Sequence, residues 1–504
     1  MPFLAADLGT TTLKIGIVDE NLNFLHFLSK EVPIIRKEAG AAEHDPEGLL
    51  HLFLDLSRRV LSEVNTEISG IVLSGYLFGL VALDSNGTPL TGIMTWLDRR
   101  PVEVLEEIYL KLPPSLVYQR TGCPPLFIYQ LPKIFWIAKR KPLLYNKTAC
   151  FLDAKGYLIY RLTGRRIMEK SSASGSQLMN LQTTEWDEEL IGELGLEVNK
   201  LPELVEPIDI IGELDNEIAN LLGLKSSVPV IPGIFDGGSV TVGEGALNES
   251  IGSSHLSTST MIRVASKYPV IDRSGKMRFQ TYYAFKGVWL PGGALNNAGI
   301  VLRWYRDTFG ALEKIVSEDT GLDIFELLTF EAQQAPPGSD GLVFLPFLSG
   351  ERIPEFGNSA SAVLFGLREN HTNRHVIRSF MEGIAFNLKT VKEALEENSL
   401  KINELRITGG GAKSDLWLQI ISDVLEIPVH RVYALDAALA GATIIGMKAL
   451  GKIDDIREYS ARNVKIGKSF APNEDNIKTY RRSYRIYKEL LNQIKPLFLE
   501  SGID

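Results

Sequence analysis

Asp236 directly follows an apolar, strand-like run that includes Val228, Val230 and Ile231, and it precedes Gly237 and Gly238. An acid at a strand end, beside glycines that let backbone and ligand approach closely, is well placed as a catalytic carboxylate. Further on, Ser257-Thr258-Ser259-Thr260 lead into Met261, Ile262 and Val264. A hydroxyl-rich turn entering a strand presents N–H and O–H donors to an anion. The N-terminus offers the same chemistry. Phe3 to Asp19 reads as two strands joined across Gly9-Thr10-Thr11-Thr12, with Leu13, Ile15 and Ile17 alternating with Lys14, Gly16 and Val18. Phosphate suits these donors, and a hydrated Mg²⁺ suits Asp7, because that ion keeps most of its waters and takes one or two carboxylates. Structural readings stay open: Asp236 as a turn residue in a strand, loop, strand connection, and the N-terminal pair as a plain hairpin with Lys14 paired to Asp7 or facing solvent.

The elements that would hold these groups alternate between strands and helices. Pro46 to Val64 carries Leu49, Leu50, Phe53, Leu56 and Val60 on one face, as an amphipathic helix does. Ile71 to Leu73 follow as a buried-type strand, then Tyr76-Leu77-Phe78 and a strand from Leu80 to Leu83. This alternation points to an α/β architecture. Ile93 to Arg100 delivers Trp96, Asp98, Arg99 and Arg100 to a strand end, either for a ligand or with Asp98 and Arg99 as a structural ion pair beside a packed tryptophan. Glu169 to Gly175 reads as a polar, flexible loop. Gly292 to Gly299 leads into a helix with Trp304 and Tyr305, Phe344 to Arg352 is a strand ending in a charged loop, and Arg374 to Ala394 is a long helix. In LRITGGGAKSDLW, a strand runs into Gly409, Gly410, Gly411 and Ala412, and a helix opens near Ser414. The glycines make either a floor for a nucleotide or a tight turn without a ligand. Small residues from Asp436 to Gly451 permit close helix packing, and the aromatic stripe of the tail from Asn473 to Ser501 reads as core. His371 and His375 stand four apart but lack the further residues of a zinc motif.

Length and composition set bounds. The 504 residues, 45% hydrophobic and 23% charged, describe a globular chain with two large cores or about three smaller ones. A net charge of −9 argues against a nucleic-acid partner. Cys123 and Cys150 allow at most one disulfide, which fits a reducing, cytoplasmic setting. No signal peptide and no apolar run long enough for a membrane span is read. The halves share a coarse repeat, since Asp7 to Ile17 and Ser253 to Val264 are both strand, hydroxyl turn, strand. Two such turns on facing lobes would clamp a polyphosphate.

In this order the segments resemble the FGGY family of carbohydrate kinases over nearly the whole chain. DLGTTTLK is similar to the family's first phosphate hairpin, WLDRR to its sugar-side segment, and LTGRRIMEKSSAS to its serine loop. FDGG stands at the catalytic aspartate, STST at the second hairpin, and GGGAKSDLW at the nucleotide signature. LNNAGIVLRWYRD, FLPFLSGERIPEF and the segment through HVIRSFMEGIAFNL look most like gluconate kinases, then xylulose kinases. The resemblance implies a two-lobed, actin-like (ribonuclease-H-like) ATPase fold with a cleft between lobes 1–246 and 247–504. It also implies an ATP- and Mg²⁺-dependent kinase acting on a small sugar, sugar acid or polyol, gluconate first and xylulose next. A homodimer is one assembly open to it.

Carried onto this sequence, the resemblance makes Asp236 the base that accepts the hydroxyl proton. Gly9, Thr10, Thr11, Thr12, Lys14, Ser257, Thr258 and Ser259 hold phosphates. Gly409, Gly410, Gly411, Ala412 and Ser414 hold the nucleotide. Tyr76, Leu77, Phe78, Trp96, Asp98, Glu169, Asp236 and Gly237 meet the sugar, and Asp7 and Asp236 meet the metal. Arg99, Arg100 or Arg352 is available to neutralise a gluconate carboxylate. Three departures are visible. Tyr76-Leu77-Phe78 lacks the polar residues of related kinases, Glu169 replaces an Asp, and Ser257 replaces a glycine, which would strain the turn if its φ were positive. The first and third motivate a second reading, a nucleotide-binding regulatory or sensor protein on the same scaffold with little kinase activity.

Overall fold

Two mixed sheets in the computed structural model repeat one strand order. The structure describes every residue except 65, 226, 353–356, 358 and 501–504, together with all side chains of the described helices and strands but that of Leu499. In the first sheet Phe3–Leu8, Thr12–Val18 and Phe24–Glu31 form an antiparallel meander. Ile71–Gly75 and then Pro229–Ile231 add in parallel beside Phe3–Leu8, and Gly212–Glu213 closes the edge antiparallel. In the second sheet Ile251–His255, Thr260–Val264 and Val288–Leu295 are the meander. Glu404–Thr408 and Val429–Val432 are the parallel pair, and Ile466–Phe470 is the antiparallel edge. Gln280–Phe285 extends the far side. The repeat reaches single residues: Asp7 pairs in register with Ser74, and His255 pairs in the same way with Thr408.

Phe3–Leu8 is buried at every position because helices cover both faces of its sheet. Leu49, Leu50 and Phe53 of helix Pro46–Glu63 pack on one face. The other is covered from the far end of the chain by helix Ala437–Ala449, whose Leu439, Ala442 and Met447 meet Phe3, Ala5, Val18, Val72 and Ile231. Residues 236–243 are helical, not the loop that their small residues suggest, and this helix crosses Ala437–Ala449. A Cβ on Gly243 would lie 1.9 Å from Ala437 O, and one on Gly441 would lie 1.9 Å from Ser239 O. Glycine at both positions allows the backbones to touch.

Around the second sheet, Asn373–Glu397 packs on Asp415–Leu425, and the tail helix Glu474–Glu500 buries Tyr480, Tyr484, Tyr487 and Leu491. The aromatic stripe is therefore core, as expected; Ser501 lies outside the described residues. Val343–Leu345 is a strand, while residues 353–356 of FLPFLSGERIPEF lie outside the described residues. The segment expected as a polar loop is instead strand Ile167–Glu169 and a buried helical turn, Lys170–Ser174. Cys123 and Cys150 are free and buried. Among the described residues no helix is long and apolar enough to cross a membrane.

Candidate active site

A cleft of about 1300 Å³ opens where the two meanders face each other, and it collects most of the predicted site residues. From the first sheet come Asp7, Gly9, Thr10, Thr11, Thr12 and Lys14, and from the second Ser257, Thr258 and Ser259. Asp236 and Gly237 line it too, as do Tyr76, Leu77, Phe78 and Trp96 and, from the glycine segment, Gly409, Gly410 and Ala412.

Neighbours fix both turns. Trp96 donates its indole N–H to Thr10 Oγ1 at 2.9 Å, leaving the threonine hydrogen free to donate elsewhere. His44, kept neutral by burial, contacts Thr10 O through Nε2 at 2.9 Å and the Tyr76 hydroxyl through Nδ1 at 3.0 Å. At the second turn, helix Gly299–Thr308 uses its first N–H groups on the turn's carbonyls: Gly299 donates to Ser257 O at 2.7 Å and Ile300 to Thr258 O at 3.1 Å. Ser257 is absent from the positive-φ residues, so the strain that a missing glycine suggests does not arise. The glycine segment follows strand Glu404–Thr408. Gly409 has φ of 98°, and a Cβ there would meet Leu256 O at 2.4 Å, whereas a Cβ on Gly410 would meet nothing within 4 Å. Gly410 thus offers bare backbone to a flat ligand. Gly411 and Ser414 stand behind this floor: Gly411 N donates to Leu256 O, and Ser414 caps helix Asp415–Leu425 by accepting from Trp417 N at 3.2 Å.

Carboxylates and cations meet at the centre. Lys14 pairs with Asp436 at 2.8 Å and with Asp7 at 3.5 Å, and Ser74 donates to Asp7 at 2.9 Å. Burial works against the Lys14 charge, but Asp7 and Asp436 outweigh it and leave its pKa raised. Burial pushes the Asp7 carboxyl up to about 6 despite Lys14, with repulsion from Asp436 and Asp236 adding to the rise. Burial also raises Asp236, against its hydrogen bond from Gly237 N and the charges of Arg263, Arg352 and Lys14. Two carboxylates lining one cleft, Asp7 and Asp236, suit a hydrated divalent cation. Among the described residues no three acid, histidine or cysteine side chains converge as a ready-made metal site. An ion held by one or two carboxylates together with phosphate oxygens and water needs no such cluster, and Asp7 and Asp236 are the residues that could hold it. His255 occupies the Asp7 position of the second sheet. Burial, helped by Lys14, lowers its pKa to about 4, so it adds no charge at neutral pH.

Asp98 and Glu169 do not line the cleft, contrary to expectation. Asp98 is fully buried and pairs with Arg100 at 2.6 Å, while also accepting from Ala42 N at 3.1 Å. Arg100, not Arg99, is its partner, and Arg100 also pairs with Glu38 and Glu43, so neither arginine is a cleft cation. Glu169 is equally buried, pairs with Lys155 at 2.7 Å and caps Lys170–Ser174 by accepting from Ser171 N and Ser172 N. A buried carboxylate already answered by a cation and N–H donors has little left for a sugar. The part of the cleft lined by Tyr76, Leu77, Phe78 and Trp96, where a sugar is expected, is largely aromatic instead. Phe78, held at φ of 76°, meets Tyr129 edge-on at 5.1 Å, and Lys133 pins its carbonyl from below. A bulky side chain in the left-handed region is a strained feature of the kind that marks functional sites.

Of the three arginines considered from sequence, only Arg352 lines the cleft, and Arg263 joins it unforeseen. Arg263 was legible as the lone charge inside a strand otherwise built of apolar residues. Asp436 and His44 carried no comparable local signal, because their partners are remote in sequence.

Residues 3–243 match the N-terminal domain of the FGGY family of carbohydrate kinases, and residues 253–450 match its C-terminal domain. The chain is 33% identical to a gluconokinase of Bacillus subtilis (strain 168), across 97% of this chain and 95% of that protein. It is 29% identical to a xylulose kinase of the same organism, across 98% and 97%. Among solved structures, a gluconate kinase from Lactobacillus acidophilus superposes with a TM-score of 0.92 at 28% identity, covering 99% of both chains. A ligand-bound xylulose kinase from that organism gives the same score and identity, covering 99% of this chain and 100% of its own. The two-lobed, actin-like architecture with its central cleft is thereby established.

Proposed function

The chain belongs to the FGGY family of carbohydrate kinases, and from that premise we propose that it transfers the γ-phosphate of ATP to a hydroxyl of gluconate, or next of xylulose or a related ketose. The observation that carries the reading is Asp236 standing in one cleft with both hydroxyl-rich turns. Asp236 takes the proton of the attacking hydroxyl, late in a loose phosphoryl transfer. Its raised pKa keeps that proton bound more firmly than an exposed aspartate would. Thr10, Thr11, Thr258 and Ser259 orient the phosphates through O–H and N–H donors, and the glycine floor receives the nucleotide. Mg²⁺, when bound beside Asp7, supplies charge neutralisation to the phosphates. Lobes 1–246 and 247–504 close over the substrates and exclude water. The same reading puts the protein in the cytoplasm, with a homodimer one assembly open to it.

The sensor alternative draws part of its motive from Ser257, whose unstrained backbone removes that part. A coupled assay of ADP release over gluconate, xylulose, ribulose, glycerol and erythritol tests the proposal. Stimulation by gluconate above the others is expected. ATP binding with no acceptor stimulating turnover would instead support the sensor.

A further inference from the structure

Two guanidinium groups occupy the sugar end of the cleft without an acid paired to them. Arg263, only 7% exposed, lies over the Phe235 ring at 5.1 Å and the Tyr282 ring at 5.9 Å, and its Nη1 is buried with no hydrogen-bond partner. Gly237 makes room for it, since a Cβ there would stand 1.9 Å from that nitrogen. Arg352 lies over Trp96 at 4.6 Å and donates from Nε to Asn296 Oδ1 at 2.7 Å. Among the described residues neither forms an ion pair. A buried arginine with a purely structural task looks different in this molecule. Arg378 gives Nε to Glu382, Nη1 to Ala335 O and Nη2 to the Tyr480 hydroxyl. An arginine keeps its charge inside proteins, so an unanswered donor on a buried one calls for an anion from outside the chain.

Phosphate is the other anion to weigh. The hydroxyl turns already supply its donors, and Arg263 lies three residues along its strand from Thr260, roughly 10 Å of extended chain away. Both guanidinium groups lie over aromatic rings, and a guanidinium fork suits two-pronged binding of a planar carboxylate.

We propose that Arg263 and Arg352 read the carboxylate of the acceptor, so that the enzyme selects sugar acids over neutral sugars and polyols. This rests on the phosphotransfer reading above. The test compares gluconate with glucitol, which carries a hydroxymethyl group in place of the carboxylate, and with xylulose, in the full-length protein. Turnover is measured with ATP and Mg²⁺, and gluconate binding is measured without ATP by calorimetry. Preference for gluconate by about 100-fold or more in kcat/KM is expected. Arg263→Met and Arg352→Met should each lose most of that preference through a higher KM for gluconate, with the KM for ATP unchanged, and Arg263→Lys should recover part of it. Should Arg263→Met fail to fold, Arg352→Met carries the test alone. Equal use of glucitol by the wild type, or variants that slow all acceptors alike while raising the KM for ATP, would overturn the assignment. If no acceptor turns over but gluconate binds in an arginine-dependent way, the carboxylate pair stands and the transfer reading falls. Absence of both sinks the two together.

Discussion

Asp236 and Asp436 head the two helices that cross at the centre of the molecule. Asp236 opens Asp236–Gly243 after strand Pro229–Ile231, and Asp436 caps Ala437–Ala449 after strand Val429–Val432, accepting from Leu439 N at 3.0 Å. The sheets repeat, so these helices correspond, with Asp236 the first residue of one and Asp436 the cap just before the other. Asp436 commits its carboxylate to Lys14, whereas Asp236 forms no salt bridge among the described residues and faces the cleft. Corresponding helix starts of a duplicated fold thus carry one carboxylate held across the lobes and one that, on the proposed function, is kept for chemistry.

Asp236→Asn should therefore reduce acceptor-dependent ADP release by about 10²- to 10⁴-fold, the usual contribution of a positioned base. Nucleotide affinity, read by calorimetry, should hardly change. Full turnover in this variant would remove Asp236 from the role of base.

The acid side of the kcat/KM profile should reflect a carboxyl that burial has raised above the ordinary aspartate range. Arg352 favours the ionised form of Asp236, so removing it raises that pKa further. In Arg352→Met the acid limb, recorded with whichever acceptor retains turnover, should move to higher pH. A limb displaced to lower pH would contradict the electrostatic assignment.

Glu244 is fully buried, accepts from Ser253 Oγ at 2.5 Å and from Thr408 Oγ1 at 2.6 Å, and burial raises its pKa to about 8. A raised carboxyl stabilises the fold below its unfolded pKa of 4.5, and that contribution is lost as pH climbs towards 8. Glu244→Gln cannot ionise. Its melting temperature relative to wild type should rise between pH 5 and pH 8 and level off beyond. A difference independent of pH would show that Glu244 ionises normally.

Gly441→Ala would place a Cβ 1.9 Å from the Ser239 carbonyl and force the crossing helices apart. Overpacking of this kind costs roughly 1–3 kcal/mol, which lowers the melting temperature by roughly 2–10 °C in lobes of this size. Activity should fall as well, because both aspartates ride on these helices. Gly192→Ala, at an exposed position with nothing within 4 Å, is the control and should be nearly neutral.

The parts legible in the sequence were those with local causes. The alternation in Thr12–Val18, the hydroxyl turns, and the glycine run ending in the Ser414 cap each announce themselves within about a dozen residues. Helix Asp236–Gly243 did not, because DGGSVTVG lacks an amphipathic stripe and holds three glycines, which disfavour an isolated helix. Its partner lies some two hundred residues away, so tertiary packing decides. Asp98 and Glu169 failed for the opposite reason. Their residue types suit a sugar, but nothing local reveals that Arg100 and Lys155 have already claimed them.

The helix Ala437–Ala449 has a consequence for biosynthesis. It covers Phe3, Ala5, Val18 and Val72, which leave the ribosome several hundred residues before it does. Until it is made, the nascent sheet keeps one apolar face unsheltered. A chain stopped near residue 246 would carry that face permanently bare, prone to association with other incomplete chains.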